Sequence, residues 1–294
     1  MTTTATPSAA AAGTITLGNL TIHRLGYGAM RLTGPGIWGP PKDRVAAIAT
    51  LRRAVDLGVN FIDTADSYGP YISEQLIADT LHPYPEGLLI ATKGGWERPG
   101  PGQWIHNASP RHLEQAVHGS LTRLRLERID LYQLHVPDPA VSFEASLETL
   151  IRLKENNKIR HIGLSNVSLD YLERARRLTP IVSVQNRYSF ADREWDYLLD
   201  YCEKNAIAFI PWAPLGQARH LNGILGRIAS QLNVSPFQLS LAWLLRRSRA
   251  MLPIPGTSSI EHLEENIAAA GLQLPDDAVR ELSNVHPPPA SLRS

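Results

Sequence analysis

Beyond its first dozen residues the chain alternates short apolar runs, bounded by turn residues, with longer stretches whose apolar positions recur every three or four residues. Runs of four to six residues are too short for helices and long enough for strands, whereas the longer stretches carry the helical period. The first pair, residues 14–17 and 20–23 around Gly18-Asn19, predicts a hairpin. Eight further strands are predicted near Leu25 to Ala29, Asn60 to Asp63, Leu88 to Thr92, Ile129 to Leu134, His161 to Leu164, Ile181 to Val184, Ala208 to Pro211 and Met251 to Ile254. The helical period falls between them. It covers Asp43 to Leu57 (apolar Val45, Ile48, Leu51, Val55), Pro110 to Leu124, Phe143 to Glu155, Arg193 to Asn205 and Pro236 to Arg247.

Asp43 and Ser109 stand where N-caps belong, the second followed by Pro110 at the first helical position. Eight strands, each followed by a helix over about 250 residues, predict an α/β fold of the (β/α)8 TIM barrel kind rather than a doubly wound sheet. Two stacked α/β domains are the competing reading, but no Pro/Gly/Ser-rich linker divides the chain near its middle. The expectation is therefore one barrel domain over residues 14–294. Residues 1–13, almost all Ala, Thr, Ser and Pro without the pattern of a signal peptide, are expected to form a mobile tail. The last residues, His286 to Ser294 with three prolines, either fold over the pocket or hang free.

Composition narrows the partner. Of 294 residues, 43% are hydrophobic and 19% charged, enough to bury a large core. Twenty-nine basic against 28 acidic residues leave a net charge of +1, and no run of five like charges marks a nucleic-acid or lipid-surface footprint, so a small molecule is the expected partner. The single cysteine, Cys202, forbids an intrachain disulfide and suits a reducing, cytoplasmic setting. No apolar run approaches the roughly 18 residues of a membrane span.

A barrel builds its active site at the C-terminal ends of its strands. Read in order, those ends carry Met30 and Arg31, Asp63 and Tyr68, Lys93, His135, Ser165 and Asn166, Gln185 and Asn186, Trp212, and Pro255 to Ser258. Asp63, Lys93 and His135 follow successive apolar strands, which points three ionisable groups into one mouth. The plainer reading is a structural Asp-Lys ion pair beside a satisfied histidine.

A metal hydrolase would need a cluster of His and carboxylate ligands, but only one of ten histidines ends a strand, so no metal is expected. A Schiff-base lyase or aldolase could use Lys93 as its amine, with Tyr68 and Asp63 shuttling protons. Carbonyl reduction with hydride from a nicotinamide could use Tyr68 as the proton donor. A free phenol titrates near 10, and a lysine ammonium about 4 Å away is worth roughly 4 kcal/mol, or about three pKa units on the phenolate. Lys93 offers that charge, Asp63 would hold it, and His135 would orient the substrate oxygen.

The motifs at these ends resemble those of the aldo-keto reductases over essentially the whole chain after the tail. They are Gly-Ala-Met-Arg (28–31), Asn-Phe-Ile-Asp-Thr-Ala-Asp-Ser-Tyr-Gly (60–69), Ala-Thr-Lys-Gly-Gly (91–95) and Ile-Asp-Leu-Tyr-Gln-Leu-His (129–135). Ile-Gly-Leu-Ser-Asn (162–166), Val-Gln-Asn (184–186), Trp-Ala-Pro-Leu-Gly (212–216) and Ile-Pro-Gly-Thr-Ser (254–258) complete the series. The resemblance implies a barrel whose bottom is closed by the N-terminal hairpin, and reduction of aldehydes or ketones with NADPH. The family's catalytic tetrad carries over onto Asp63, Tyr68, Lys93 and His135. A sensor protein that binds the coenzyme with little turnover is a further reading within this fold.

Among coenzyme residues, the resemblance implies Ser165, Asn166 and Gln185 on the nicotinamide carboxamide and Trp212 stacked on its ring, with Met30 and Arg31 beside it. No Gly-x-Gly-x-x-Gly fingerprint is present, since Arg31 stands where the third glycine would be. The phosphates are instead expected on Ala213, Pro214, Leu215, Gly216 and Gln217, and on Gly256, Thr257, Ser258 and Ser259, the last stretch opening a helix with a Ser258 to Glu261 capping-box pattern. Where the family's best-known members place lysine and arginine on the adenosine 2′-phosphate, this chain has Gly256 and His262, with Glu265 and Asn266 left for the adenine. Thr257, Ser258, His262 or Arg219 are the remaining contacts for that phosphate, and NADPH is favoured with NADH as the alternative. Trp38, Tyr71, Trp96 and Trp104 predict an aromatic mouth that suits a planar aldehyde. The stretch 26–41 is particularly similar to a bacterial subgroup that includes pyridoxal reductases, which makes pyridoxal a candidate substrate.

Overall fold

The computed structural model describes residues 6–216 and 223–285. The expectations for Gln217, Arg219 and the tail from His286 lie outside the described residues. After a hairpin of β1 (Thr14–Leu17) and β2 (Leu20–His23), parallel strands β3 (Tyr27–Gly28), β4 (Phe61–Asp63) and β5 (Leu89–Gly94) begin the main sheet. A small antiparallel pair, β6 (Trp96–Glu97) and β7 (Ile105–His106), projects from the end of β5. Then β8 (Ile129–Leu134), β9 (Ile159–Ser165), β10 (Ile181–Gln185) and β11 (Ala208–Phe209) complete a curled seven-stranded parallel sheet.

The eighth position is filled without a regular strand. Met251 bridges Phe209 in parallel, Leu252 N–H donates to Phe209 O at 2.9 Å, and Gly26 N–H donates to Pro253 O at 2.9 Å, so residues 251–255 join the last strand to the first. Pro253 and Pro255 have no N–H to give, which breaks the ladder on this segment and explains why the predicted eighth strand is only a bridge. The architecture is nonetheless the expected (β/α)8 barrel. Its helices are α1 (Arg44–Asp56), α2 (Ile72–Leu81), α3 (Pro110–Leu124), α4 (Phe143–Glu155), α5 (Leu169–Leu178), α6 (Asp196–Lys204), α7 (Ile224–Leu232), α8 (Pro236–Arg247), α9 (Ile260–Ala268) and α10 (Asp276–Ser283).

Local chemistry accounts for most boundaries. Asp43 and Ser109 accept from the N–H groups of Ala46 and His112, and Ser235 with Gln238 forms a full capping box on α8. α6 begins three residues later than the pattern predicts, after Trp195 at its N-cap, and the Arg193 guanidinium before it donates to the carbonyls of Leu282 and Ser283 at 2.8 Å. In α1 the buried face is Ala47, Thr50, Leu51 and Ala54, and Val45, expected inward, is 78% exposed.

The barrel interior is a cluster of Leu17, Ile22, Phe61, Leu89, Ala91, Leu131 and neighbours. Leu17 and Ile22 come from the hairpin, which closes the bottom; each fully buried side chain is worth about 2–3 kcal/mol. The tail expectation is corrected for residues 8–13. Ala9–Ala12 form a turn of 3-10 helix capped by Ser8, and Ala9, wholly buried, donates its N–H to Leu57 O at 2.9 Å. Alanines small enough to pack beside Leu57 make that docking feasible. No helix of the described residues is long and apolar enough to cross a membrane.

Candidate active site

Alternation along the strands turns Asp63 of β4, Lys93 of β5, Gln133 of β8 and Gln185 of β10 into the barrel, one layer above its apolar filling. Lys93 is fully buried and Asp63 is 2% exposed, so the pair exists only because each satisfies the other. Lys93 Nζ donates to Asp63 Oδ1 at 2.6 Å, to Thr64 O at 2.8 Å and to Tyr68 Oη at 3.3 Å. Asp63 Oδ2 accepts from Gln185 Nε2 at 2.8 Å and Gln133 Nε2 at 3.0 Å. Gly163 of β9 makes room for this layer: a Cβ there would stand 2.9 Å from Gln133 Cγ.

Tyr68 lies on the loop after β4, 7% exposed, its oxygen receiving the lysine and its own proton therefore left for the cavity in front. Burial pushes the phenol above its ordinary value, outweighing the Lys93 charge, with Asp63 acting in the same direction as burial. The expected fall of the phenol toward neutrality is thus corrected: at neutral pH it keeps its proton. Burial pulls the Lys93 ammonium down, but Asp63 and Tyr68 together outweigh it and hold the ammonium above its usual range, charged. His135 is 7% exposed with its ring edge-on to Tyr68 at 5.9 Å, and burial together with Lys93 takes its imidazole well below the usual value, so it is neutral.

Two joined hollows open in front. The inner one, about 180 Å³, is lined by Asp63, Tyr68, Gln185, Trp212 with Ala213 to Gly216, and Met30 and Arg31. The outer one, about 670 Å³, shares Met30, Arg31 and Gly256 and runs past Thr257 and Ser258 to the N-terminal end of α1. Position 256 must be open here, because a Cβ on Gly256 would meet Gly28 O at 2.6 Å. Tyr27 Oη donates to Thr257 O at 2.5 Å, pinning the wall, and Thr257 Oγ1 accepts from Ser259 N–H. Among the described residues no group of His, Cys, Asp and Glu could hold a metal ion.

Several expected coenzyme residues are engaged with one another. Ser165 Oγ donates to Gln185 O at 2.9 Å, and Asn166 Nδ2 donates to His135 O at 3.0 Å. Trp212 Nε1 donates to Asn166 Oδ1 at 3.0 Å, and the Gln185 amide belongs to Asp63. The expected Ser258–Glu261 capping box is corrected: Ser259 is the N-cap of α9 and accepts from His262 N–H, which leaves Ser258 exposed on the groove. His262, Glu265 and Asn266 lie along α9 and line neither hollow.

Of the aromatic residues expected at the mouth, Trp96 stands edge-on to His135 at 6.3 Å and against Trp104 at 5.7 Å, although it lines neither hollow. Tyr71 turns outward. It is half exposed, in the left-handed region at φ 70°, with the Arg123 guanidinium 4.2 Å over its ring. Trp38 shares the Arg98 guanidinium with Trp104, at 5.5 and 3.6 Å. Nothing local in the sequence marks Arg98. It is 9% exposed and donates to the carbonyls of Gln103, Ser67, Ile37 and Gly36, lacing three loops of the rim together. Gln133 was findable, since it alternates inward with Leu131 and His135.

Asp66, within the loop that carries Tyr68, is also new. It is 3% exposed, and burial and then Glu74 hold its carboxyl well above the usual range against the pull of Arg123, the Ser67 N–H and Lys93. The unfolded carboxyl loses its proton near pH 4. The folded one retains it to higher pH, so this group lowers stability progressively as pH rises from there to its folded value. Asp66→Asn is expected to melt above the wild type at pH 7 by roughly 2–4 °C, the shift about 1 kcal/mol produces at this size. The gap should close toward pH 4; a lower melting point for the variant at both pH values would refute the assignment of a neutral carboxyl.

Comparison with known proteins comes to the same fold. The sequence profile of the Aldo/keto reductase family matches residues 24–286. An uncharacterized oxidoreductase of Schizosaccharomyces pombe is 47% identical over 276 residues, 93% of this chain and 90% of its own. Pyridoxine 4-dehydrogenase of Escherichia coli is 44% identical over 279 residues, 92% of this chain and 98% of its own. Among solved structures, a thermostable aldo-keto reductase crystallised with the inhibitor epalrestat superposes with a TM-score of 0.79 at 27% identity, covering 92% of this chain and 98% of that one.

Proposed function

Because the chain belongs to the aldo/keto reductase family, an NAD(P)H-dependent family of oxidoreductases, we propose that it reduces aldehydes to alcohols with NADPH, pyridoxal among them, and that Tyr68 gives the proton. The observation that carries this reading is the Lys93 ammonium, 2.6 Å from Asp63 Oδ1 and 3.3 Å from Tyr68 Oη, directly behind a phenol that faces the cavity. The joined hollows, open at Gly256 and walled by Arg31 and a rigid Thr257, suit an extended dinucleotide phosphate.

Bound there, the nicotinamide would supply the hydride. The chain's residues do the rest. Neutral His135 donates a ring N–H toward the carbonyl oxygen, orienting it without competing as an acid, and Tyr68 Oη passes its proton to that oxygen as negative charge develops. Lys93 then carries the phenolate that is left, and Asp63, fixed by Gln133 and Gln185, keeps the ammonium aimed. Trp96 at the rim, packed against Trp104, offers a face to a planar ring. The pyridoxine 4-dehydrogenase relative supports an alcohol and aldehyde of that shape.

The Schiff-base reading of Lys93 loses ground to the same geometry. A lysine held charged by Asp63 and wholly buried lacks the free amine that attack on a carbonyl requires. The test is to titrate the purified protein with NADPH and NADH by fluorescence, then follow nicotinamide absorbance with pyridoxal and a simple aromatic aldehyde. Consumption of NADPH is expected, with pyridoxine and NADP+ running the reverse reaction. Absence of binding by both coenzymes would sink the reductase reading, and borohydride trapping of substrate on Lys93 would restore the lyase.

A further inference from the structure

We propose that Lys42, on the loop entering α1, supplies the positive charge that selects NADPH over NADH by pairing with the adenosine 2′-phosphate. This rests on the coenzyme reading above and adds to it a cation drawn from the opposite wall of the groove. The α9-side wall of the groove carries no basic side chain of its own, and Arg31, packed against Gly256, is the other cation that lines it. Position 256 cannot carry a long basic side chain, because its Cβ would collide with Gly28 O at 2.6 Å, and Arg31 Cγ already lies 3.5 Å from that point. His262, the other candidate on that side, lines neither hollow.

Lys42 faces the same groove as Gly256, Thr257 and Ser258 from across it, and at about 670 Å³ the space between is ample for a phosphorylated ribose. Its side chain is exposed and makes no ion pair among the described residues. The one acidic side chain lining the groove, Asp43, is turned to the helix it caps, its Oδ1 accepting from Ala46 N–H at 2.9 Å. The loop is stiffened where it matters, with Pro40 and Pro41 immediately before Lys42. On the facing wall, Tyr27 Oη and the Ser259 N–H fix Thr257, and Ser258 presents an exposed hydroxyl beside it. A dianionic phosphate seated between them would meet Lys42 and the Ser258 hydroxyl, with Arg31 deeper in the same groove toward the inner hollow, whereas the bare 2′-hydroxyl of NADH would meet none of these with the same strength.

The experiment compares dissociation constants for NADPH and NADH in parallel, by fluorescence titration, on the wild type and on Lys42→Ala, Lys42→Glu and Lys42→Arg. For Lys42→Ala the NADPH constant is expected to rise about ten- to thirtyfold, the loss of a charge-assisted contact, while the NADH constant moves by less than about twofold. Lys42→Glu should be worse for NADPH alone, and Lys42→Arg should restore most of the preference. High salt should erode the wild-type preference for NADPH and leave NADH affinity nearly level. An unchanged NADPH-to-NADH ratio in Lys42→Ala overturns the proposal, whether both coenzymes bind as before or both bind worse. So does a wild type that binds NADH as tightly as NADPH, which would leave the reductase reading intact. Failure of the wild type to bind either coenzyme removes the reductase reading itself and is thereby told apart.

Discussion

Tyr68→Phe is expected to lower the rate of carbonyl reduction by two to four orders of magnitude, the usual worth of a positioned general acid, while NADPH affinity changes by less than about twofold. The substitution removes one oxygen and nothing else. That oxygen accepts from Lys93 at 3.3 Å, and Lys93 retains its bonds to Asp63 and Thr64 O without it, so the buried ammonium stays satisfied. The melting temperature should therefore stay within roughly 2–4 °C of the wild type, since a single hydrogen bond contributes about 1 kcal/mol. Loss of rate with the fold and the coenzyme site intact separates chemistry from scaffolding. Wild-type-like turnover by this variant would mean that the proton comes from elsewhere.

Lys93→Met should fail on both counts. The rate falls as for Tyr68→Phe, because the phenolate left after proton transfer loses the charge that carries it. Stability falls as well, because Asp63, at 2% exposure, is left as an uncompensated carboxylate, and breaking a buried pair from one side costs about 3–5 kcal/mol. At this size that is a drop of roughly 10 °C in melting temperature. Adding Asp63→Asn to Lys93→Met should return most of the lost stability, since two neutral groups can share the layer with Gln133 and Gln185, yet return none of the activity. Recovery of activity in the double variant would show that the pair is only structural.

How much of this was visible in the chain depends on the range of the force involved. α3, α4 and α8 match the helical pattern to the residue, because a Ser cap, an N-terminal proline or a clean apolar stripe acts within one turn. The strand from Ile129 was legible to the residue and the one from Ile181 to within one residue, Gln185, because most of their positions are apolar and buried. The eighth strand was over-read, because an apolar run with two prolines has the composition of a strand and lacks the donors of one. The α9 cap was misplaced by one residue among consecutive serines, where only the backbone geometry at Ser259 decides.

In the site, the residues that end strands were legible because strand ends in a barrel share one mouth; Asp63, Lys93 and Tyr68 are brought together as expected, with His135 beside them. Direction was legible where alternation governs it and was lost where a loop does. Tyr71, three residues past Tyr68, turns outward onto Arg123 because its left-handed backbone starts α2. Arg98 could not be read at all, since its partners are backbone carbonyls from three separate loops. The ionisation of Tyr68 is not legible from its neighbours in the sequence, because the pull of the Lys93 charge is opposed by a burial that only the fold creates.

The proline-interrupted closure between the last strand and the first has a mechanical meaning. A barrel fastened all round resists opening equally everywhere, but this one has a seam where Gly26 and Gly28 meet residues 253–255 through sparse bonds. The groove straddles that seam, with Met30 and Arg31 on one bank and Gly256 to Ser258 on the other. A molecule seated across both banks acts as a rivet on a sparsely bonded join of the hoop, and at a hundred times its dissociation constant it adds about 2.7 kcal/mol to the folded state. Coenzyme supply would then set how long the protein survives heat and proteases as well as how fast it works.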